Sequence, residues 1–336
     1  MPLLAVPLLL ALSTAAVRLT STTHSSLDAL DASPSRDNSD ATVDFGTPWT
    51  TEQALIDPAS KICMGWTARA ACTFAVSIFF EHLGLLDKAL AYNPFVHDYR
   101  TDVMDQRFVG SADHCTGPGV TAFKIVRNPF ARATSSYGHQ MGTEFSHNPQ
   151  MSWAMTNAMG QTDLHRVSFL LWLKAVRKVT FSQLDIHSRP QATAPERDGQ
   201  VVFDPVCKLE GDLEACLGAV NRRAGANFSM ARAAESSASH NAEHQELSGD
   251  VADRPYGSFP LSSADHSSKV FPEPSDFYRG SKGAEAAALV VELYGVDFEL
   301  YKYSTTDPTG TGVVSVQERL QQFVKGQRER QQPVVT

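Results

Sequence analysis

The 336-residue chain contains no GxxxxGK[ST] phosphate loop, no GxGxxG turn and no CxxC pair. These gaps weigh against a Walker-type NTPase, a hydride-transferring Rossmann enzyme and a paired-cysteine zinc site. The mostly apolar run Leu3 to Val17 falls short of the ~20 residues of a membrane span. It suits the apolar region of a signal peptide, with Ser13-Thr-Ala15-Ala16 as small residues for cleavage, or a short type II anchor. The positive charge that usually precedes such a segment is missing as well. Cations are outnumbered: 29 Lys and Arg face 37 Asp and Glu, for a net charge of −8. That balance excludes a broadly basic nucleic-acid binder. Cysteine is scarce, and its count of five is odd, so at least one has no partner within the chain. Cys207 and Cys216 are a candidate pair if the chain enters a secretory route, where the sequon Asn227-Phe-Ser229 would also carry meaning.

What is present reads as a globular protein with appendages. Hydrophobic residues make up 42% and charged residues 20%, within the range of folded domains. Residues 1–20 are the signal segment or anchor, and 21–55, rich in Ser, Thr and Asp, a stem. Residues 56–303 are the domain, and 304–336 a tail with a helical pattern from Val313 to Arg328. Within the domain, 231–270 has few large apolar groups and is expected as a flexible, exposed insertion. Its His240, His244 and His266 have no regular metal-ligand spacing, so no metal is expected.

Chemistry concentrates in two segments about sixty residues apart. The first is Lys61-Ile-Cys-Met-Gly-Trp66, a short strand, followed by the small-residue loop Thr67-Ala-Arg69-Ala-Ala-Cys72-Thr73. Phe74 to Leu90 then reads as one helix. A small-residue loop that enters a helix exposes N–H groups able to cradle phosphate. The second is Ala122-Phe-Lys-Ile-Val-Arg127-Asn-Pro129-Phe-Ala-Arg132-Ala-Thr-Ser135-Ser-Tyr137. Here an apolar strand ends at Arg127. Asn128 is a good N-cap, Pro129 suits the first helical turn, and Ser135 falls about two turns in. Arg127 would therefore sit at a strand's C-terminal end, where open α/β sheets bind ligands, with a guanidinium suited to phosphate.

The second segment resembles the 3′-phosphate motif of the PAPS (3′-phosphoadenosine-5′-phosphosulfate) sulfotransferases, Arg-Asp-Pro-x-x-Arg-x-x-Ser-x-Tyr, with Asn128 for Asp. The first resembles their 5′-phosphosulfate loop, Pro-Lys-x-Gly-Cys/Ser-Thr. Ala68 stands for Pro, Arg69 for Lys and Ala71 for Gly, while Cys72 and Thr73 match directly. Tyrosylprotein sulfotransferases are similar in using Arg at the Lys position. Further along, Val167-Ser-Phe169-Leu-Leu-Trp172, Asp185-Ile-His187-Ser-Arg189-Pro190-Gln191, Val206-Cys-Lys208-Leu-Glu210 and Tyr294-Gly-Val-Asp297-Phe298-Glu-Leu-Tyr301-Lys-Tyr303 resemble successive segments of the Golgi carbohydrate sulfotransferases.

The resemblance implies a three-layer α/β fold with a central parallel sheet, in the P-loop-like sulfotransferase architecture. It implies transfer of a sulfuryl group from PAPS, without a metal, to a hydroxyl acceptor, most simply a glycan, in the Golgi lumen or membrane. Secretion is the other destination, and the oligomeric state is open. Arg127 and Ser135 would hold the 3′-phosphate. Arg69, the backbone of Ala70, Ala71, Cys72 and Thr73, and the Thr73 hydroxyl would face the 5′-phosphosulfate. The general base would be a histidine or a carboxylate able to reach the acceptor hydroxyl, with the histidines ranked His97, then His187, then His114. Lys124, Arg132 and Arg189 are further local cations, whereas Lys174, Arg177 and Lys178 read as a solvated face. An inactive PAP- or glycan-binding protein and a tyrosylprotein sulfotransferase are the alternatives.

Overall fold

The computed structural model describes residues 54–104, 106–110, 112–142, 149–180, 183–238, 244–260 and 270–309. The N-terminal apolar run, most of the stem, the helical pattern beyond 313, His240 and His266 lie outside them.

Strands β1 (Ala54–Asp57) and β2 (Ile62–Gly65) pair antiparallel. Helix α1 (Cys72–His82) follows the small-residue loop, then α2 (Leu86–Tyr92) and α3 (Val96–Asp102). The single helix expected over 74–90 is thus two. Gly84 takes a positive φ of 69°, and Leu85 N–H donates to the Phe80 carbonyl, closing α1 with a left-handed turn. Short elements β3 (Val109–Gly110) and α4 (Ala112–Thr116) lead to β4 (Thr121–Val126). Helix α5 (Pro129–Gly142) begins as its sequence signals indicate, with Pro129 first and the Asn128 side chain accepting from Phe130 N–H at 2.9 Å.

Helices α6 (Pro149–Met159), α7 (Phe169–Lys178) and α8 (Ala194–Arg197) come next, α7 capped by Ser168 accepting from Leu171 N–H. Strand β5 (Val206–Lys208) and α9 (Leu213–Ala224) follow, then α10 (Ala231–Ala238) and the small pair β6 (His244–Gln245) and β7 (Phe271–Pro272). The described chain closes with α11 (Gly280–Leu293) and α12 (Gly295–Leu300).

The sheet order is β3-β1-β2-β4-β5. Strands β2, β4 and β5 run parallel, and β1 is antiparallel to both of its neighbours. The sheet is therefore mixed, with one reversed strand, where a purely parallel one is expected. Side chains alternate between two buried faces, as the apolar runs of β2 and β4 require. Ile62, Met64, Phe123 and Ile125 pack with α1, α9 and α10. Cys63 and Ala122 face the other way, against Cys115, Val201 and Phe203. That second face also carries Lys124 and Val126, which meet Glu196 of α8 and the Val296–Tyr301 region of α12. A separate core joins α5, α6, α7 and α11 around Trp172, Tyr137 and Phe169.

Parts of the 231–270 segment are integral to these cores. Ala233 and Ala234 of α10 are buried with α1, and Val251, Ala252, Tyr256 and Phe259 belong to the helical core. Small residues let α10 approach α1 closely, so a helix of low hydrophobicity is nonetheless packed. Two disulfides form, Cys207–Cys216 as paired from the sequence and Cys63–Cys115, which links β2 to α4. Asn227 of the sequon is exposed, two residues past the left-handed Gly225 that caps α9.

Candidate functional site

Register decides where the two motifs emerge. Ile62 pairs with Thr121 and Gly65 with Lys124, so β2 and β4 end side by side, about 4.8 Å apart. The loop after β2 and Arg127 after β4 therefore share one edge of the sheet.

The loop is tightly wound. Ala70 N–H donates to the Thr67 carbonyl at 3.1 Å. Arg69 (φ 64°) and Ala71 (φ 58°) are both left-handed, and Ala70 between them is not. Alternation of hand turns successive N–H groups toward one concavity, the geometry of an anion nest. Left-handed backbone costs a residue with a Cβ about 1 kcal/mol, so both positions hold local strain. Cys72 then opens α1 with no acidic residue in its first turn, so the helix dipole also favours an anion there.

Three guanidiniums meet over this loop. Arg127 is 2% exposed and donates through Nη1 to the Arg69 carbonyl at 3.2 Å. Arg132 is 1% exposed and donates to the Ala68 carbonyl at 3.0 Å and the His187 carbonyl at 3.4 Å. Arg69, partly buried, reaches across to Ser135 Oγ with Nε at 3.1 Å and Nη2 at 3.0 Å. The two sequence motifs are thus hydrogen-bonded to each other. Burial pushes all three guanidiniums below their ordinary range, and neighbouring guanidiniums add to it for Arg69 and Arg127. For Arg127 the value falls to about 10 despite the opposing charge of Glu210. All three remain cationic at neutral pH.

The other segments named from the resemblance brace this edge. Gln191 brackets the Arg127 backbone, its Oε1 accepting from Arg127 N–H at 2.9 Å and its Nε2 donating to Arg127 O at 2.7 Å. Asp297 accepts from the N–H groups of Gln191 and Ala192 at 2.8 and 2.7 Å. Glu210 accepts from Asn128 N–H at 2.8 Å and from Tyr303 Oη at 3.0 Å. Lys124 is different. It is buried in an ion pair with Glu196 at 2.6 Å, with the Gln191 carbonyl and Tyr301 hydroxyl completing its shell. It is a strut, not an open cation. Lys174 and Arg177 pair across the surface with Glu285 and Glu292, as a solvated face would.

The three candidate histidines separate. His97, on α3, is buried between the Trp66 ring (5.7 Å) and the Phe95 ring (4.9 Å), and its Nε2 has no hydrogen-bond partner. His187 is partly exposed and engages Asp185 through Nδ1, which leaves Nε2 as the acceptor when the ring is neutral. His114 is exposed on α4, ahead of the N-terminal end of β4. Arg127 follows the opposite end of that six-residue strand, about 20 Å away, so His114 is not brought to the site.

Two histidines enter without having been singled out for it. His139 lies one helical turn beyond Ser135 on α5, its ring 4.2 Å from that of His187. The i, i+4 spacing was legible. His244 of β6 donates through Nδ1 to the Pro272 carbonyl at 3.1 Å. Burial, with the charges of Arg127 and Arg69, depresses it to about 4. Nothing in its polar surroundings in the sequence signals that position.

Among the described residues no three His, Cys, Asp or Glu side chains cluster as a metal site, and no helix is long and apolar enough to cross a membrane. Compared with protein-family models, curated proteins and solved structures, the chain matches none.

Proposed function

We propose that the chain is a PAPS-dependent sulfotransferase that moves a sulfuryl group to a hydroxyl on a carbohydrate acceptor. The carrying observation is the meeting of Arg69, Arg127 and Arg132 over a left-handed loop at the ends of adjacent parallel strands. Three neighbouring cations repel one another, and a polyanion relieves that repulsion.

In this reading Arg127 and Ser135 bind the 3′-phosphate, and the N–H groups of Ala71 to Thr73 with the Thr73 hydroxyl bind the 5′-phosphate, the Ala70 N–H being taken by the Thr67 carbonyl. Arg69 supplies charge where the bridging oxygen becomes negative. It exchanges Ser135 for the nucleotide, since one guanidinium cannot serve both. Of the candidate bases, the Asp185–His187 pair suits proton abstraction best, because the carboxylate fixes the tautomer and stabilises the imidazolium formed. His97 is instead packed between the Trp66 and Phe95 rings. Two disulfides and an exposed sequon favour the secretory pathway, and the Golgi is the compartment the resemblance implies.

Titration calorimetry with PAP, on the wild type and Arg127→Ala, tests the nucleotide site. Loss of a bidentate charge-assisted contact is expected to weaken binding about 100- to 1,000-fold, with the melting temperature held within a few degrees. Equal affinity in both proteins sinks the assignment. Radiolabelled PAPS with desulfated glycans, tyrosine peptides and small alcohols then tests transfer. PAP binding with no transfer to any acceptor would leave the binding-protein reading, which the Arg69–Ser135 contact favours.

A further inference from the structure

Helix α5 does more than present Ser135 to Arg69. Its Arg132, Ser136, His139 and Gln140 recur at i, i+4, i+7 and i+8, so they share one face. All four meet the turn that carries His187. Arg132 Nη2 and Ser136 Oγ both donate to the His187 carbonyl. Gln140 Nε2 donates to Ser188 Oγ at 2.6 Å, and its Oε1 accepts from Trp172 Nε1 at 2.6 Å. The His139 ring lies 4.2 Å from the His187 ring, with the planes 48° apart, so the two are in van der Waals contact. The turn is braced from within as well. Asp185 accepts from the His187 N–H at 2.9 Å and from its ring, and Arg189 Nε donates to the Leu184 carbonyl at 2.8 Å.

Backbone contacts fix where His187 stands, but not which way its ring turns. With its side chain 22% exposed, the ring has room to rotate and offer either nitrogen. Asp185 selects Nδ1, and the His139 ring packs against the imidazole. We propose that His139 is a positioning residue that holds the His187 ring on Asp185, so that Nε2 stays the open acceptor. Ser135 stands one turn before His139 on the same helix, about 6 Å away. One rigid element therefore registers His187 to Ser135. Arg132 extends that register to the loop after β2, since its Nε donates to the Ala68 carbonyl at 3.0 Å. A misplacement of about 1 Å between reacting groups costs about 100-fold in rate, so the register has a kinetic consequence. That consequence, and it alone, rests on the sulfotransferase reading.

Charge and shape can be separated at this position. The charged groups beside the two rings are Asp185 and Arg189 on the turn and Arg132 on α5. The charges of His187 and His139 both favour the ionised form of Asp185, the form that accepts from His187. A phenyl ring at position 139 keeps the wall against His187 and gives up that charge. Phenylalanine is therefore the informative replacement, and alanine removes both.

Nitrogen-15 NMR of the full chain with labelled histidine, at about pH 7.5, where an ordinary imidazole is mostly neutral, reads the ring nitrogens directly. The His187 signals are assigned by their loss in His187→Gln. The wild type is expected to show His187 as the Nδ1–H tautomer, with a slowly exchanging, downfield Nδ1 proton and an Overhauser contact to the His139 ring. In His139→Ala that proton is expected to exchange about 10-fold faster or more, with the two tautomers mixed, and His139→Phe is expected to restore it. In the radiolabelled PAPS assay, His139→Ala should lower kcat about 10-fold or more with PAP affinity unchanged, and His139→Phe should recover most of the loss. An unchanged His187 signal in His139→Ala, or a His139→Phe as impaired as His139→Ala, overturns the proposal. A wild-type His187 in the Nε2–H tautomer overturns it without any variant, which covers a His139→Ala that fails to fold. If the spectra behave as expected and no protein transfers sulfate, the brace on His187 stands and the sulfotransferase reading fails. If transfer is robust and His139→Ala keeps both the signal and kcat, the reverse is true.

Discussion

Replacing Asp185 by Asn removes one charge and keeps the shape of the side chain, so it isolates what the carboxylate does for His187. Burial pushes the Asp185 carboxyl up. Hydrogen bonds from the His187 ring and backbone, with the charges of His187 and His139, more than reverse this and hold it at about 2, against an ordinary 3.8. At about 1.4 kcal/mol per unit, that depression corresponds to about 2 kcal/mol of stability. Its sign is that of a carboxylate lowered in the folded state. The contribution is complete above pH 4 and fades as pH falls toward 2, with about 1 kcal/mol left at pH 3. Urea unfolding of the wild type, Asp185→Asn, His187→Gln and the double variant at pH 7 and pH 3 reads it directly. Asp185→Asn is expected to lose about 2 kcal/mol at pH 7 and about half that at pH 3. The two single changes are expected to be non-additive by 1 kcal/mol or more. If His187 takes the acceptor proton, Asp185→Asn also lowers the transfer rate by about 10²-fold or more without changing PAP affinity. Coupling below about 0.3 kcal/mol, with equal losses at both pH values, refutes the pairing.

Two further outcomes test the loop and the strut beneath it. Ala71→Gly relieves a left-handed backbone at φ 58° at a smaller cost in unfolded-state entropy, for a net gain of about 0.5 kcal/mol. Scanning calorimetry should show a rise of one or two degrees, and a fall would mean that the alanine is not strained. Lys124→Met strands Glu196 without its partner, a change worth about 3–5 kcal/mol in a buried pair. Chemical denaturation showing a loss under 1 kcal/mol would mean that Lys124 is not the strut described.

The sequence made the two motifs legible because their local chemistry is strong. Asn128 and Pro129 specify a helix start whatever surrounds them, and Ser168 does the same for α7. Elements set by tertiary contacts were not legible. Strands β1 and β3 have four and two residues, too few to show a period. The break at Gly84 is masked by Leu83, Leu85 and Leu86, whose apolar rhythm continues through it. Cys63 and Cys115 are 52 residues apart and meet only because the chain leading into β4 returns past β2. The composition of α10 reads as exposed, yet alanine is the residue that lets a helix lie close against α1. In the candidate site, Arg69, Arg127 and Ser135 could be named, but not that Arg69 and Ser135 touch, nor that His97 is buried between Trp66 and Phe95.

Lys124 and Arg127 together bear on the proposal that this edge of the sheet binds an anion. They are three residues apart, and both are buried cations. Lys124 is matched within the protein, with a carboxylate, a carbonyl and a phenol around one ammonium. No charge is left to offer a ligand. One step further along the chain the balance changes. Glu210 and Asp297 lie near Arg127 and Arg132, but their oxygens accept from backbone N–H groups and Tyr303. Arg132 donates to carbonyls and Arg69 to a hydroxyl, so each is hydrogen-bonded without being neutralised in place. Arg69, Arg127 and Arg132 thus bring three cations together in a region of low dielectric, where a phosphate would gain most. The hydrogen bonds hold the guanidiniums in position, and an anion bound among them, as proposed, would relieve their mutual repulsion.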